Sequence, residues 1–329
     1  MTSSKPRVGV SSCLLGERVR YDGGHKRDRF ITDLLGQYVE YVPVCPEVEV
    51  GFPSPRPPLR LVGDPEAPRL VFAESGEDVT EKMEAWARER CEALENEALC
   101  GFIFKSKSPS CGMERVKVYD EGGVPSAVGV GIFARVFVAH FPLLPVEEEG
   151  RLHDVALREN FVERIFAVKR WQDLVELGRT RGHLVEFHAR HKLLLMSHSP
   201  KHAKELGQLV ADANSYRPTD LYERYLARFM EALAIPATAP KQCNVLQHVM
   251  GFFKEQLGAD EKQELLDVIE QYRRRTVPLI VPITLLNHYV RKYGRVLGNA
   301  PANRSVGDYL AEQYYLHPHP IELSLRSYI

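Results

Sequence analysis

The chain has 329 residues, 44% of them hydrophobic, and its 44 acidic and 43 basic side chains leave a formal net charge of -1. A balance this close gives no bulk electrostatic signal for nucleic acid or anionic lipid. No stretch reaches the roughly 18 uncharged apolar residues of a membrane span, and the N-terminal MTSSKPRVGV lacks the apolar core of a signal peptide. A cytoplasmic protein of two domains with no membrane partner is expected.

In residues 1–145 strand and helix signals alternate. Arg7 to Val10 is a short β-branched run, Arg29 to Leu35 has helical spacing, and Val39 to Val44 reads as a second strand. After the proline-rich PSPRPP, Asp78 to Ala98 reads as a long helix with Met83, Trp86, Ala87 and Cys91 at three- and four-residue steps. Leu99 to Phe104 is a third strand, Arg115 to Tyr119 with the following EGG a hairpin or turn, and Gly129 to His140 a buried helix. This alternation predicts an α/β domain with a mostly parallel sheet. Phe141 to Gly150, with two prolines and an acidic run, has the composition of a linker, and the domain boundary is placed at 145/146. Beyond it the periodic stretches are helical: Asp154–Val168, Leu184–Met196, Asp220–Leu233, Asn244–Leu257, Asp260–Arg275 and Pro282–Tyr293. Residues 146–329 are therefore expected to form an all-α domain.

Six cysteines are too few for a disulfide scaffold in a chain of this length. Cys91, Cys100 and Cys243 lie in helical or apolar surroundings and read as packing residues. Cys13, Cys45 and Cys111 each follow a β-like run and are embedded in Gly, Pro or Ser. In an open parallel sheet the carboxyl ends of the strands share one edge, so three cysteines distant in sequence would converge there. Three thiolates without a clear fourth leave several readings open. Zinc with an open position would activate water, with Glu47 as general base; a 4Fe-4S cluster would keep one iron without a protein ligand; three buried structural thiols would bind nothing.

SSCLLGERVRYDGG, PVCPEVEVGFPSPRPP and FKSKSPSCG, in that order, resemble the three signature blocks of the thiouracil desulfurase (TudS) family, and the likeness extends over about the first 145 residues, with a DVT triplet at Asp78 to Thr80. The resemblance implies a 4Fe-4S cluster held by Cys13, Cys45 and Cys111, and a thiolated pyrimidine, thio-base or thio-nucleotide, as substrate. It implies that the substrate sulfur binds the free iron while a carboxylate, Glu47, assists water attack and sulfur leaves as sulfide. The family's active-site serine falls on Ser108, which is favoured, or on Ser110 as the alternative. Ser110 can hydrogen-bond a pyrimidine carbonyl or a cluster sulfur. Arg20, Lys105, Lys107 and Arg56 could attract a phosphate, Tyr21 could stack on a base, and Asp22 could read its ring nitrogens. The bland readings stand beside these: a locally paired Glu47, turn-forming serines, solvated surface cations, and YDGG as a turn. A non-enzymatic iron–sulfur or zinc-binding module and a zinc-dependent hydrolase are the competing functions. A homodimer is left open.

The second half resembles a helical domain of unknown function often fused to the desulfurase domain, through blocks such as LVEFHARHKLLLMSHS and QYYLHPHPIELSLR. Its histidine-rich LVEFHARHKLLLMSHSPKH lacks the H-E-x-x-H arrangement, so a structural network is favoured over a metal site. His317 and His319, separated by Pro318, are expected in a loop.

Overall fold

A computed structural model describes residues 4–293 and 305–328. The chain divides into two compact units, Met1–Phe161 and Val162–Ile329. No helix among the described residues is long and apolar enough to cross a membrane.

The first unit runs β1 (Arg7–Ser11), β2 (Glu40–Val44), α1 (Pro46–Glu49), β3 (Leu59–Val62), β4 (Arg69–Phe72), α2 (Thr80–Glu95), β5 (Leu99–Phe104), β6 (Val116–Tyr119), β7 (Pro125–Gly129), α3 (Ile132–His140) and β8 (Val146–Glu148). The main sheet has order β2-β1-β5-β8, and every neighbouring pair in it is parallel. The expected α/β domain with a mostly parallel sheet is what forms. Chain order reverses about β1: the chain steps to β2 on one side and later returns to β5 on the other. A crevice opens beyond the carboxyl ends of strands at such a switch point.

All six residues of β5 are buried, so the strand reads as an unbroken apolar run. Phe102 and Phe104 lie on one face of it and pack with Phe133 and Phe137 of α3. Helix α2 adds Ala87, Cys91 and Leu94 to this core, and Met83, one turn earlier, enters a second core with Leu61, Leu70 and Val118. Apolar residues at 83, 87, 91 and 94 thus give one helix a continuous stripe that serves both cores. Full burial of the larger ones, Met83 and Leu94, contributes about 1.5–3 kcal/mol each. Gly9 is required on β1, since a Cβ there would come within 2.2 Å of the Phe102 ring.

Two features depart from the sequence reading. A second sheet, β4-β3-β6-β7, stands beside the first, and its first two strands follow the proline-rich segment directly. Phe141 to Gly150 is not a free linker: Val146–Glu148 pairs in parallel with β5, Phe102 opposite Val146. The division by contacts accordingly falls at Phe161/Val162, later than the expected 145/146. The acidic run enters a sheet because each of its carboxylates has a partner there: Glu147 with Arg151, Glu148 with the Met113 amide, Glu149 with Lys105.

The second unit is helical as expected. Helix α4 (Val155–Glu176) leads into it, followed by α5 (Arg181–His198), α6 (Pro200–Ala211), α7 (Pro218–Ala234), α8 (Ala239–Gly251), α9 (Ala259–Arg273), α10 (Ile280–Tyr293) and α11 (Val306–Ala311). Helices α6 and α11 were not foreseen; Pro200 occupies the first turn of α6, with Ser199 capping it.

Candidate active site

Cys13 lies two residues past β1, Cys45 one residue past β2, and Cys111 seven residues past β5, in the loop that leads to β6. All three side a cavity of about 400 Å³ together with Glu47, Arg20, Tyr21, Lys105 and Ser108. Each is a free thiol, no more than 8% exposed.

Local sequence explains each placement. Cys13 sits in a short 3-10 turn ended by Gly16 at φ +100, a conformation that favours glycine. Cys45 precedes α1, whose first residue is Pro46; its own amide is held by Glu49 at 2.9 Å, and Glu49 is paired with Arg90. The Ser108 hydroxyl oxygen accepts the amides of Ser110 and Cys111 at 3.2 and 3.1 Å and so sets the turn that presents Cys111. Gly131 lets that turn close on α3: a Cβ there would lie 2.6 Å from the Ser110 carbonyl.

The thiols feel one another. Burial first, and the Glu47 carboxylate next, push Cys13 up to about 11 and Cys45 up to about 12. Cys111 is raised well above its ordinary value by burial and Glu47, with the charges of Cys45 and Cys13 adding to the effect. Three buried thiols whose charges raise one another are a donor set that a cation would turn into thiolates. Ser110, fully buried beside Cys111, has a hydroxyl with no hydrogen-bond partner. The three thiols, a soft donor set at one cavity, fit an iron–sulfur cluster.

Glu47 lies with Oε2 3.6 Å from the Cys45 sulfur and 3.8 Å from Nη2 of Arg56, both carboxylate and guanidinium being largely buried. Arg56 is fixed in turn by the carbonyls of Val19 and Pro53. Lys105 lines the cavity with its ammonium on Glu149 and on the carbonyl and hydroxyl of Ser106. Arg20 pairs with Asp22 at 3.5 Å and lies over the Tyr21 ring, which is 45% exposed. The lining carries five cations, Arg20, Lys26, Arg56, Lys105 and Lys107, against one carboxylate, Glu47.

Of the residues singled out in the sequence, Cys13, Cys45, Cys111, Glu47, Ser108, Arg20, Tyr21 and Lys105 meet at this cavity. Asp22 and Ser110 do not line it. Asp22 is exposed in the turn, where the Gly24 amide and then Arg20 hold its carboxyl below the usual range; Ser110 lies behind the wall. Ser11, Lys26, Glu148 and Glu149 were not foreseen. Ser11 accepts the Lys105 amide at 2.9 Å and bonds the Cys111 sulfur. No local spacing signals Ser11, Glu148 or Glu149, because their partners are remote in sequence.

A match to the 2-thiouracil desulfurase family covers residues 8–149. The chain belongs, through its first unit, to the 2-thiouracil desulfurase family. Residues 192–320 match a family of unknown function, DUF1722. Similar proteins include the uncharacterized protein YbgA of Escherichia coli (strain K12), 37% identical over 40% of this chain and 78% of that protein. The uncharacterized protein YbbK of Bacillus subtilis (strain 168) is 39% identical over 31% of this chain and 71% of its own length. Among solved structures, a 4Fe-4S-dependent thiouracil desulfidase, TudS, is 33% identical, covering 47% of this chain and 97% of the other at a TM-score of 0.38.

The histidine-rich segment of the second unit forms a hydrogen-bonded network. His188 meets the Tyr225 hydroxyl at 3.1 Å, His191 the Phe187 carbonyl at 2.8 Å, His198 the Ile235 carbonyl and Glu163, and His202 the Ser199 hydroxyl. His317 and His319 lie in a loop, with His319 on the Pro320 carbonyl.

Proposed function

We propose that the first unit is a 4Fe-4S cluster-dependent desulfurase of thiolated pyrimidines, thiouracil or a related thio-base or thio-nucleotide. The observation that carries the reading is the convergence of three buried thiols from three strand ends on one cavity, with the Glu47 carboxylate beside them. Cys13, Cys45 and Cys111 hold the cluster and give up their protons as it binds. The cluster supplies an iron without a protein ligand, a soft Lewis acid suited to a thiocarbonyl sulfur.

The chain's own groups do the rest. Glu47, 3.6 Å from a ligand sulfur, takes a proton from the water whose oxygen bonds to the thiocarbonyl carbon, and carbon–sulfur cleavage follows. The carbon keeps its oxidation level and sulfur leaves as sulfide, so no electron donor is needed. Ser108 uses its oxygen to hold the amides of Ser110 and Cys111, which leaves its O–H to donate to a pyrimidine carbonyl. Tyr21 stacks at the rim, and the excess of cations over carboxylates draws an anionic thio-base or a phosphate-bearing nucleotide. A cluster on three cysteines and three further free thiols suit a reducing compartment, and we assign the protein to the cytoplasm.

The test is anaerobic sulfide release across a panel of thio-bases and thio-nucleotides, with iron and acid-labile sulfide measured on the same protein. Brown protein that releases sulfide supports the reading. Colourless protein with one tightly bound zinc per chain would replace it with the zinc hydrolase, and brown protein inert on every compound would leave a non-enzymatic iron–sulfur module.

A further inference from the structure

Ser11 ends β1 and is only 2% exposed, yet it borders the cavity with Cys13, Cys45 and Cys111. The parallel ladder between β1 and β5 stops with Val10 opposite Ile103. Just past that point the Ser11 hydroxyl oxygen accepts the backbone N–H of Lys105 at 2.9 Å, which ties the ends of the two strands together. A hydroxyl held through its oxygen still has one hydrogen to donate. The Ser11 hydrogen goes to the Cys111 sulfur.

The neighbouring ligand is supported differently. The Cys45 sulfur accepts the backbone amide of Val48 in α1 and lies 3.6 Å from the Glu47 carboxylate. Its donor belongs to the main chain, whereas that of Cys111 is a side chain and can be removed by one substitution. Ser110, which the sequence offered as a partner for a cluster sulfur, does not take this place: it lies behind the cavity wall, and its hydroxyl has no hydrogen-bond partner. Groups that hydrogen-bond a metal ligand fix its orientation, and hydrogen bonds to the sulfurs are among the factors that set a cluster's potential. An O–H donated to a thiolate draws electron density from sulfur, so the cluster becomes harder to oxidise. In a reaction that transfers no electrons, such a bond keeps the cluster in one oxidation state while an iron stands open to substrate.

We propose that Ser11 is a positioning residue for the ligand Cys111: anchored by the Lys105 amide, its hydroxyl donates to that sulfur, orients it and raises the reduction potential of the 4Fe-4S cluster. The proposal rests on the assignment of Cys13, Cys45 and Cys111 as cluster ligands.

The full chain, Ser11→Ala and Ser11→Thr are reconstituted anaerobically, and the midpoint potential of the cluster is measured by redox titration followed by electron paramagnetic resonance. Iron loss to a chelator is timed on the same samples. Ser11→Ala keeps all three thiols and should take up the same iron, while its potential moves to more negative values and its iron leaves about tenfold faster or more. Ser11→Thr retains the hydroxyl and should return both values towards those of the unaltered chain. Loss of the Lys105 anchor alone would lower the unfolding midpoint without moving the potential. An unmoved potential in Ser11→Ala, or a folded Ser11→Thr protein whose potential stays with that of Ser11→Ala, would overturn the proposal. Brown protein that shows the Ser11 shift but releases no sulfide supports this role and defeats the desulfurase reading; an unmoved potential in protein that does release sulfide defeats this role alone. A chain that takes up no iron defeats both.

Discussion

Glu148 accepts the backbone N–H of Met113 at 2.7 Å, two residues past Cys111, and the Glu114 N–H at 3.4 Å. The acidic run at the edge of the main sheet therefore anchors the loop that carries Cys111. Its burial pushes the carboxyl of Glu148 up, while the two amides pull it back.

Removing that acceptor has a predictable result. Glu148→Ala should lower stability by about 1–3 kcal/mol, the scale for leaving buried amides unsatisfied, and the holoprotein should lose iron faster in the presence of a chelator. Glu148→Gln retains a carbonyl oxygen and should recover most of both losses. Denaturant unfolding and chelator kinetics measure the two effects; unchanged values for Glu148→Ala would mean that the loop is held by Ser108 and α3 alone.

The six cysteines should divide cleanly. Cys13→Ala, Cys45→Ala and Cys111→Ala should each prevent stable assembly of a cluster of about four irons and a similar amount of sulfide. Cys91, Cys100 and Cys243 pack in the interior away from the cavity, and conservative replacement of each should leave iron content unchanged. Iron and sulfide analysis after anaerobic reconstitution decides the matter, and full iron content in any of the first three variants would remove that cysteine from the ligand set.

The division between what was legible in the sequence and what was not has a physical pattern. Cys13, Cys45 and Glu47 were readable because their signals are local: an apolar strand, then a turn residue, then the functional group. The α2 stripe was readable for the same reason. Strands β3 and β4 escaped because each is four residues long, with arginine in both, and they gain their status only by pairing with one another and with β6. Strand β8 escaped because two of its three residues are acidic, and what makes them tolerable in a sheet is Arg151 for Glu147 and, for Glu148, the amides of Met113 and Glu114 more than 30 residues away. Composition cannot report such partners.

The second unit should weaken in mild acid. Burial holds His188 and His319 down to about 4, against an ordinary value of 6.5. The unfolded chain therefore binds more protons than the native one between these values, and stability falls as pH drops through that window; it is fully present above about 6.5. The Glu163 carboxylate acts lower. Burial would raise it, but the Arg326 charge and the His198 hydrogen bond outweigh burial and hold it down, so its contribution is lost only as pH falls below 4.5. In a Trp86→Phe protein the fluorescence of Trp171, packed on Phe187 and Tyr225, reports this unit alone. Its urea midpoint should decline from pH 7 to 4.5, and a flat profile would show that these histidines accept protons in the native state.

Glu47 is expected to move protons and not to ligate iron. It follows Cys45 by two residues, and its Oε2 lies close enough to the ligand sulfur to reach water or substrate bound beside the cluster. A carboxylate is nonetheless a hard ligand among soft thiolates, and closing the last coordination position would leave no place for a thiocarbonyl sulfur. Arg56 holds the carboxylate at 3.8 Å and is itself pinned by two backbone carbonyls, so the group is positioned without help from metal. Glu47→Gln keeps the size and polarity and removes the titrating group. The variant should assemble its cluster and bind substrate, while turnover falls by about 10²-fold or more, the scale for a positioned acid–base group. Near-normal turnover would exclude the proton-transfer role. Loss of iron as complete as in Cys45→Ala would make Glu47 a ligand and take away the open position on which sulfur abstraction rests.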